Sequence, residues 1–429
     1  MHFYFFNRVT ISASFLKKYM RVLMFGWEFP PHNSGGLGTA CFGLTRALAG
    51  RKIEVLFVLP KKVGVSASFM NILFADERRV KFHEIETTLR PYVTSDSYVR
   101  ERDKMISDIY GDTLMQEVRR YALRARDIAK KEHFDVIHAH DWLSFLAGIE
   151  AKKISGKPLI LHMHATEFDR TGGQGVNQDV YNIERESMQY ADGIIAVSDF
   201  TKGKIVEHYG IPASKIQVVH NGIDECDYVN VPAKLSELKK AGQKIVLFVG
   251  RITIQKGPEY FIRAAKRVLE VNPNVLFIVA GSGDMERQMM LEAASLGISD
   301  HVIFAGFLRG DDLTAVYNIA DLFVMPSVSE PFGITPLESI IAGAPVLISK
   351  QSGVAEVLVH ALKTDFWDTE DMANKILGVI SHRSLWQTLW GNSREEVKKV
   401  TWDAASKKCI DYYEKIICQC GATQETRYI

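Results

Sequence analysis

No run of eighteen apolar residues occurs in the 429-residue chain, so a membrane-spanning helix is not expected. Net charge is lacking too. The 52 Lys and Arg against 51 Asp and Glu leave a formal +1, and no global field favours nucleic acid or an anionic bilayer. Cysteine is scarce: five residues stand at positions 41, 226, 409, 418 and 420, an odd and scattered set that reads as reduced thiols in a cytoplasmic protein. Cys418-Gln-Cys420 is spaced too tightly for a usual zinc pair and has no second pair to complete it. There is no Walker loop, because no Gly-Lys-Ser/Thr follows the glycines after the first strand. No strand end carries an Asp-x-Asp pair to hold magnesium. The histidines at 138, 140, 162 and 164 complete no helical His-x-x-x-His pattern, so no metal is expected.

What is present is a globular composition, 47% hydrophobic and 10% aromatic, in a chain long enough for two ordinary domains. Residues 1–19 read as an extension outside the fold. They are aromatic at the front, Asn7 and Arg8 interrupt any signal-peptide core, and a weak membrane-surface anchor is the minority reading. Met20 looks like the natural start. From Arg21 apolar strands alternate with amphipathic helices, which argues for parallel sheets wound by helices. The first series of strands is expected at Arg21–Trp27, Ile53–Leu59, Val80–Ile85, Asp135–Ala139, Pro158–His162, Gly193–Val197 and Gln217–His220. Helices are expected at Leu37–Ala49, near Glu101–Lys131 and at Val180–Tyr190. A polar, Lys-rich stretch at Asp227–Gly242 suggests a linker. A second series follows at Lys244–Gly250, Val275–Ala280, His301–Phe304, Asp321–Met325 and Val346–Ser349, and Met372–Ile417 reads as helical throughout. The expected division is therefore 20–230 and 231–400 as two doubly wound domains of α/β class, with 401–429 as a final helix and tail.

Ligands of such sheets bind beyond the carboxyl ends of the strands, and the notable motifs all sit there. The most informative runs Met325–Pro345, MPSVSEPFGITPLESIIAGAP. Thr335 suits an N-cap, Pro336 the first helical position, and Glu338 the third residue after the cap. A helix opening past a strand end favours an anion, whereas the flanking Glu330 and Glu338 favour a neutral, hydroxyl-rich partner. A sugar carrying a nucleotide satisfies both. As an alternative, Glu338 could only complete a capping box with Thr335. A second cluster, Gly250-Arg251 with Lys256-Gly257, places two cations five residues apart at a helix start, where lysine opposes the dipole unless an anion is present. Two cations would neutralise much of a diphosphate without a metal. Gly35-Gly36, Gly281-Ser282-Gly283 and Gly306-Phe307 also follow strands, and each could approach a ligand or merely turn. His140 and Asp141 read as hydroxyl-binding groups. His138 and His162, inside their strands, read as satisfied core residues.

Together these residues resemble the retaining, nucleotide-sugar-dependent glycosyltransferases of the large family holding glycogen-synthase-like, sucrose-type and mannosyl enzymes, over Arg21–Ile417. The most specific parts are Gly250-Arg251 with Lys256, and Glu330 with Glu338 in Glu-Pro-Phe-Gly-Ile-Thr-Pro-Leu-Glu; His140-Asp141-Trp142 and His164-Ala-Thr-Glu167 support them. The resemblance implies the GT-B fold: two facing Rossmann-like domains, with the C-terminal helix returning to the first. It implies that Arg251 and Lys256 hold the diphosphate, Glu338 the ribose and Glu330 the donor sugar. Gly283 would approach the diphosphate and Phe307 lie against the base. Gly333, Ile334 and Thr335 would contact sugar and phosphate, His164 the sugar's 6-hydroxyl, and Gly35 and Gly36 the donor. Asp141 would face the acceptor. One departure is Asn33-Ser34 before Gly35-Gly36, where bacterial glycogen synthases carry Lys-x-Gly-Gly; it argues against an ADP-glucose synthase. The expected activity is a metal-independent, retaining transfer of a hexose, glucose favoured, from a donor such as UDP- or ADP-glucose to a carbohydrate acceptor, an α-glucan among the candidates. No cofactor or nucleic acid partner is expected, and nothing in the sequence fixes an oligomeric state. Alternatives are a mannosyl- or other hexosyltransferase acting on a glycolipid or small acceptor, and a nucleotide-sugar epimerase or hydrolase of the same fold.

Overall fold

The structure is a computed structural model, which describes residues 20–30, 35–60, 80–84, 114–173, 175–224 and 242–425. The leading extension and most of the expected linker lie outside those residues.

The first sheet is built from β1 (Arg21–Phe25), β2 (Glu54–Leu59), β3 (Val80–Glu84), β4 (Val136–His140), β5 (Leu159–Met163), β6 (Gly193–Ala196) and β7 (Ile216–Val218), in spatial order β3-β2-β1-β4-β5-β6-β7. Its helices are α1 (Gly36–Gly50), α2 (Leu114–Lys131), α3 (Trp142–Ser155), α4 (Glu167–Arg170), α5 (Gln178–Tyr190) and α6 (Asp199–Tyr209). The pairings β1–β2, β2–β3, β1–β4 and β4–β5 are parallel. The order reverses between β1 and β4, the switch point at which α/β sheets place ligands.

The second sheet contains β8 (Lys244–Val249), β9 (Val275–Ala280), β10 (Val302–Gly306), β11 (Leu322–Met325), β12 (Val346–Ser349) and β13 (Leu362–Thr364), in order β10-β9-β8-β11-β12-β13, parallel throughout. Helices α7 (Pro258–Val271), α8 (Glu286–Ser295), α9 (Gly310–Ile319), α10 (Thr335–Ala342), α11 (Thr369–Ser381) and α12 (Arg383–Val397) wind around it. Its strands are apolar on both faces, and alternate residues serve different cores. Val246 and Phe248 of β8 pack with Val275, Phe277 and Val279 of β9 in one cluster, while Ile245, Leu247, Ile278 and Ala280 belong to the other. Each fully buried side chain of this kind contributes roughly 1.5–3 kcal/mol.

Two expectations need correction. Met372–Ile417 is not helical throughout, because the chain breaks at extended His382 as well as before α13 (Trp402–Glu425), whose start at Trp402 is the expected one. β13 was not anticipated, and β10 runs on to Gly306. The chain divides into two compact units, Met1–His162 with Ser187–Ile194 and Ser406–Ile429, and Met163–Glu186 with Ile195–Ala405. The final helix does return to the first sheet: the Ile194 N–H donates to the Tyr412 hydroxyl at 3.2 Å, and the neighbouring Tyr413 hydroxyl meets His138 Nδ1 at 2.5 Å.

Candidate active site

Charged groups gather at the strand ends of the second sheet. Beyond β8, Gly250 turns the chain into Arg251, a single turn of 3-10 helix covers Ile254–Lys256, and Gly257 opens α7 in the left-handed region at φ +62°. A Cβ on Gly257 would meet the Pro326 carbonyl oxygen at 2.3 Å, so no larger residue fits. Pro258 starts the helix and no side chain caps it, which leaves an N-terminus whose dipole favours an anion.

Lys256 pairs with the buried carboxylate of Glu330, which also accepts from Ser327 Oγ at 3.1 Å. Arg251 donates to Gln255 Oε1 at 3.2 Å. Gln255 is itself buried. Its amide donates to the Ser329 carbonyl at 3.1 Å, and its own carbonyl receives the Val328 N–H at 2.9 Å. The cationic turn and the turn carrying Glu330 are thereby tied together. Gly333, at φ +101°, lies against Glu330: a Cβ there would come within 3.2 Å of Glu330 Cγ.

Glu338 does not complete a capping box. Ile334 is the N-cap of α10, Thr335 is already helical, and the Thr335 hydroxyl lies 4.0 Å from the Met325 sulfur. Glu338 instead accepts from the Tyr317 hydroxyl of α9 at 2.9 Å. Burial raises its carboxyl above the ordinary range, against the lowering effect of that hydrogen bond. Phe307 is 47% exposed, with the Arg309 guanidinium 4.7 Å from its ring centre. Gly283 has a packing reason of its own, because a Cβ would meet the Ile252 carbonyl oxygen at 2.2 Å. Gly281, at φ +150°, is tighter still, since a Cβ there would fall 1.8 Å from the Gly250 carbonyl oxygen.

His164, half-buried just past β5, belongs to the same unit as these groups, and burial pushes its imidazole down to about 3. It is a neutral ring at working pH, able to hydrogen-bond a hydroxyl but far too weak a base to take a proton.

The remaining expected residues lie in the other unit. Asp141 is buried at φ +57°, an outlier for a non-glycine residue, with its N–H on the His162 carbonyl at 2.9 Å. Such geometry costs of order 1–3 kcal/mol and clusters at functional sites. Gly35 is extended and opens α1, and a Cβ on Gly36 would meet nothing within 4 Å among the described residues. His138 and His162 join through Nε2···Nδ1 at 3.2 Å, and with His140 they form a buried trio whose nitrogens lie within 4.8 Å of one another. The trio does not fit a shared ion as arranged. An ion must lie near the plane of every ring that binds it, whereas His138 stacks on His140 with 4.3 Å between centroids and 20° between planes.

Two family models match this chain, glycosyltransferase family 4 over residues 34–225 and glycosyl transferases group 1 over residues 233–396. Both are glycosyltransferase models, and together they span most of the chain. It is 29% identical to an uncharacterized glycosyltransferase of Methanocaldococcus jannaschii, over 92% of this chain and 98% of that one. Its identity to a glycogen synthase of Mycobacterium tuberculosis is 28%, over 80% of each. Among solved structures it superposes on HepE of Anabaena in complex with UDP and glucose at a TM-score of 0.68 and 19% identity, covering 92% of this chain and all of that one. The fold of this glycosyltransferase is thus GT-B. Sequence reasoning missed Tyr317, which reaches Glu338 from 21 residues away, and Gln255 and Ser327, local partners of Arg251 and Glu330. It read Thr166 only as part of the His164–Glu167 motif, although its alternation with an acid three residues later signals a cap: Thr166 and Asp169 form a reciprocal capping box on α4.

Proposed function

We propose that this glycosyltransferase moves a hexose, glucose in first place, from a nucleoside diphosphate sugar to a carbohydrate acceptor with retention of configuration and without a metal. The observation that carries the reading is the Lys256–Glu330 pair beside Arg251 at an uncapped helix start. Lys256 and Arg251 would face the diphosphate and stabilise the leaving nucleotide. Glu330, already oriented by Lys256 and Ser327, would accept from a sugar hydroxyl. Glu338 and Tyr317 together offer an acceptor and a donor for a ribose diol. The Phe307 ring, exposed on one side, is a surface for a base.

His164 does not supply the acid–base group that an epimerase or hydrolase needs, since burial holds its imidazole down at about 3. That favours a front-face route, in which the departing phosphate oxygen takes the acceptor's proton and the protein contributes positioning and charge stabilisation. The uridine and glucose bound by HepE, and the glycogen synthase relative, support UDP-glucose as the first donor to try. The test is nucleotide release from a panel of nucleotide sugars in excess chelator, with thermal shift as the binding readout. Full turnover with UDP-glucose is expected. Activity that appears only with magnesium or manganese would remove the metal-free part of the proposal.

A further inference from the structure

We propose that Lys204 and Ser329 are positioning residues that couple the turn carrying His164 to the turn carrying Glu330, with α6 as the common support; this rests on the hexosyl-transfer reading above. Lys204, in the middle of α6, donates to Asp169 Oδ1 at 2.8 Å and to Ser329 Oγ at 2.7 Å, and Ser329 Oγ donates to the same Asp169 oxygen at 2.5 Å. Asp169 is completely buried and 160 residues away from Ser329 in the chain. Its second oxygen receives the Thr166 N–H at 2.8 Å and the Thr166 hydroxyl at 2.7 Å, which fixes the turn two residues after His164.

The far side of Glu330 is held by the same helix. Ser198 Oγ and Thr201 Oγ1, at the start of α6, both donate to the Pro331 carbonyl, at 2.5 and 3.2 Å. Glu356 in turn accepts from the first N–H groups of α6, those of Asp199 and Phe200, at 3.0 and 2.7 Å. Both chain neighbours of Glu330 are therefore bonded to α6, one through Lys204 and one through Ser198 and Thr201. Burial works to raise the Asp169 carboxyl, but the Lys204 charge and the hydrogen bonds from Lys204, Ser329 and Thr166 outweigh it and hold the carboxyl below its usual range. A charge-assisted knot of this kind fixes atoms more tightly than a neutral contact would. Neither Lys204 nor Ser329 need touch substrate. Their part is to keep Glu330 and His164 in register, where a displacement of about 1 Å can cost a hundred-fold in rate.

Ser329→Ala is the discriminating variant, because it leaves the Lys204–Asp169 pair intact and cuts only the link between turns. Expected are a kcat about ten-fold lower with UDP-glucose, in line with a sub-ångström displacement, and a UDP dissociation constant unchanged within experimental scatter. Amide exchange should quicken at both 164–169 and 327–332 in the nucleotide-free protein. Lys204→Met should lower kcat further, and Lys204→Arg should restore most of it. Unchanged kcat in Ser329→Ala, an equal loss of UDP affinity, or faster exchange in only one of the two turns would overturn the coupling. If Lys204→Met fails to fold, Ser329→Ala decides alone. A wild-type protein inactive with every nucleotide sugar would fail the functional reading, and the exchange comparison would still decide the coupling.

Discussion

Two strand-end turns in this protein look alike in sequence and differ in physics. After β1, Gly35-Gly36 opens α1; after β8, Gly250 leads through Arg251 and Lys256 to Gly257 at the start of α7. The first turn brings no cation. A Cβ at Gly36 would meet nothing within 4 Å among the described residues, and the charges that act on the buried Cys41 thiol, after burial itself, are the acidic Glu28 and Asp141, which raise it. The second turn brings two cations and a carboxylate, and a Cβ on its Gly257 would meet the Pro326 carbonyl oxygen at 2.3 Å. A glycine after a strand thus has at least two meanings. One is room left open and the other is room already filled by protein. Charge, rather than glycine, marks the end proposed for the diphosphate.

The sharpest way to break that contrast is a pair of alanine substitutions. Gly281→Ala forces a Cβ onto the Gly250 carbonyl at an unfavourable φ, and should destabilise by several kcal/mol, at least the roughly 3–5 kcal/mol of the severe class. Gly36→Ala meets open space at a helix start, so it should leave the melting temperature unchanged or raise it by the equivalent of about 0.4–1 kcal/mol. Equal melting temperatures in denaturation scans would erase the distinction.

Smaller effects should separate the two regions by ligand. Glu338→Gln should weaken UDP binding by roughly 1.5–3 kcal/mol, as expected for a hydrogen bond to a charged group, with little change in stability. Asp141→Asn should leave UDP affinity alone and raise KM for the acceptor. Calorimetry and initial rates read both, and an Asp141→Asn variant with weakened UDP binding would contradict the division.

The smallest effect is a slope. His164 is held below its ordinary value, so its contribution to stability is present above about 6.5 and is lost as pH falls from there towards about 3. His164→Asn removes that term. The variant should lose less melting temperature than the wild type between about pH 7.5 and 4.5, since the unfolded wild-type chain takes up a proton there that the folded chain refuses. A steeper loss in the variant would show that the folded imidazole titrates normally.

Much of the fold was legible because a parallel sheet covered on both faces demands near-continuous apolar runs. Val275–Ala280 and Val346–Ser349 were read with the bounds the structure shows, and the other ten expected strands fell within a few residues of theirs. β13 escaped because Leu362-Lys363-Thr364 is three residues long with a charge at its centre. The helix break at His382 escaped because no glycine or proline marks it. Residue type and spacing along the chain singled out Arg251, Lys256 and Glu330, and the structure ties the turns that carry them together through Gln255 and the Lys256–Glu330 pair. The site was illegible wherever the partner came from afar. Thr335 and Glu338 have the spacing of a capping box, yet tertiary packing gives Glu338 to Tyr317 and turns Thr335 towards Met325. Nothing local to Lys204 announces Asp169 or Ser329.

The central claim is that Lys256 acts on the leaving diphosphate. Its direct test is Lys256→Ala, with UDP affinity by calorimetry, turnover with UDP-glucose, and melting temperature as the control for folding. Charge on the leaving oxygen grows as the bond breaks, so kcat should fall by roughly 10²–10³, about 2.7–4 kcal/mol, while UDP affinity falls by much less. A folded Lys256→Ala protein with wild-type turnover would contradict the account.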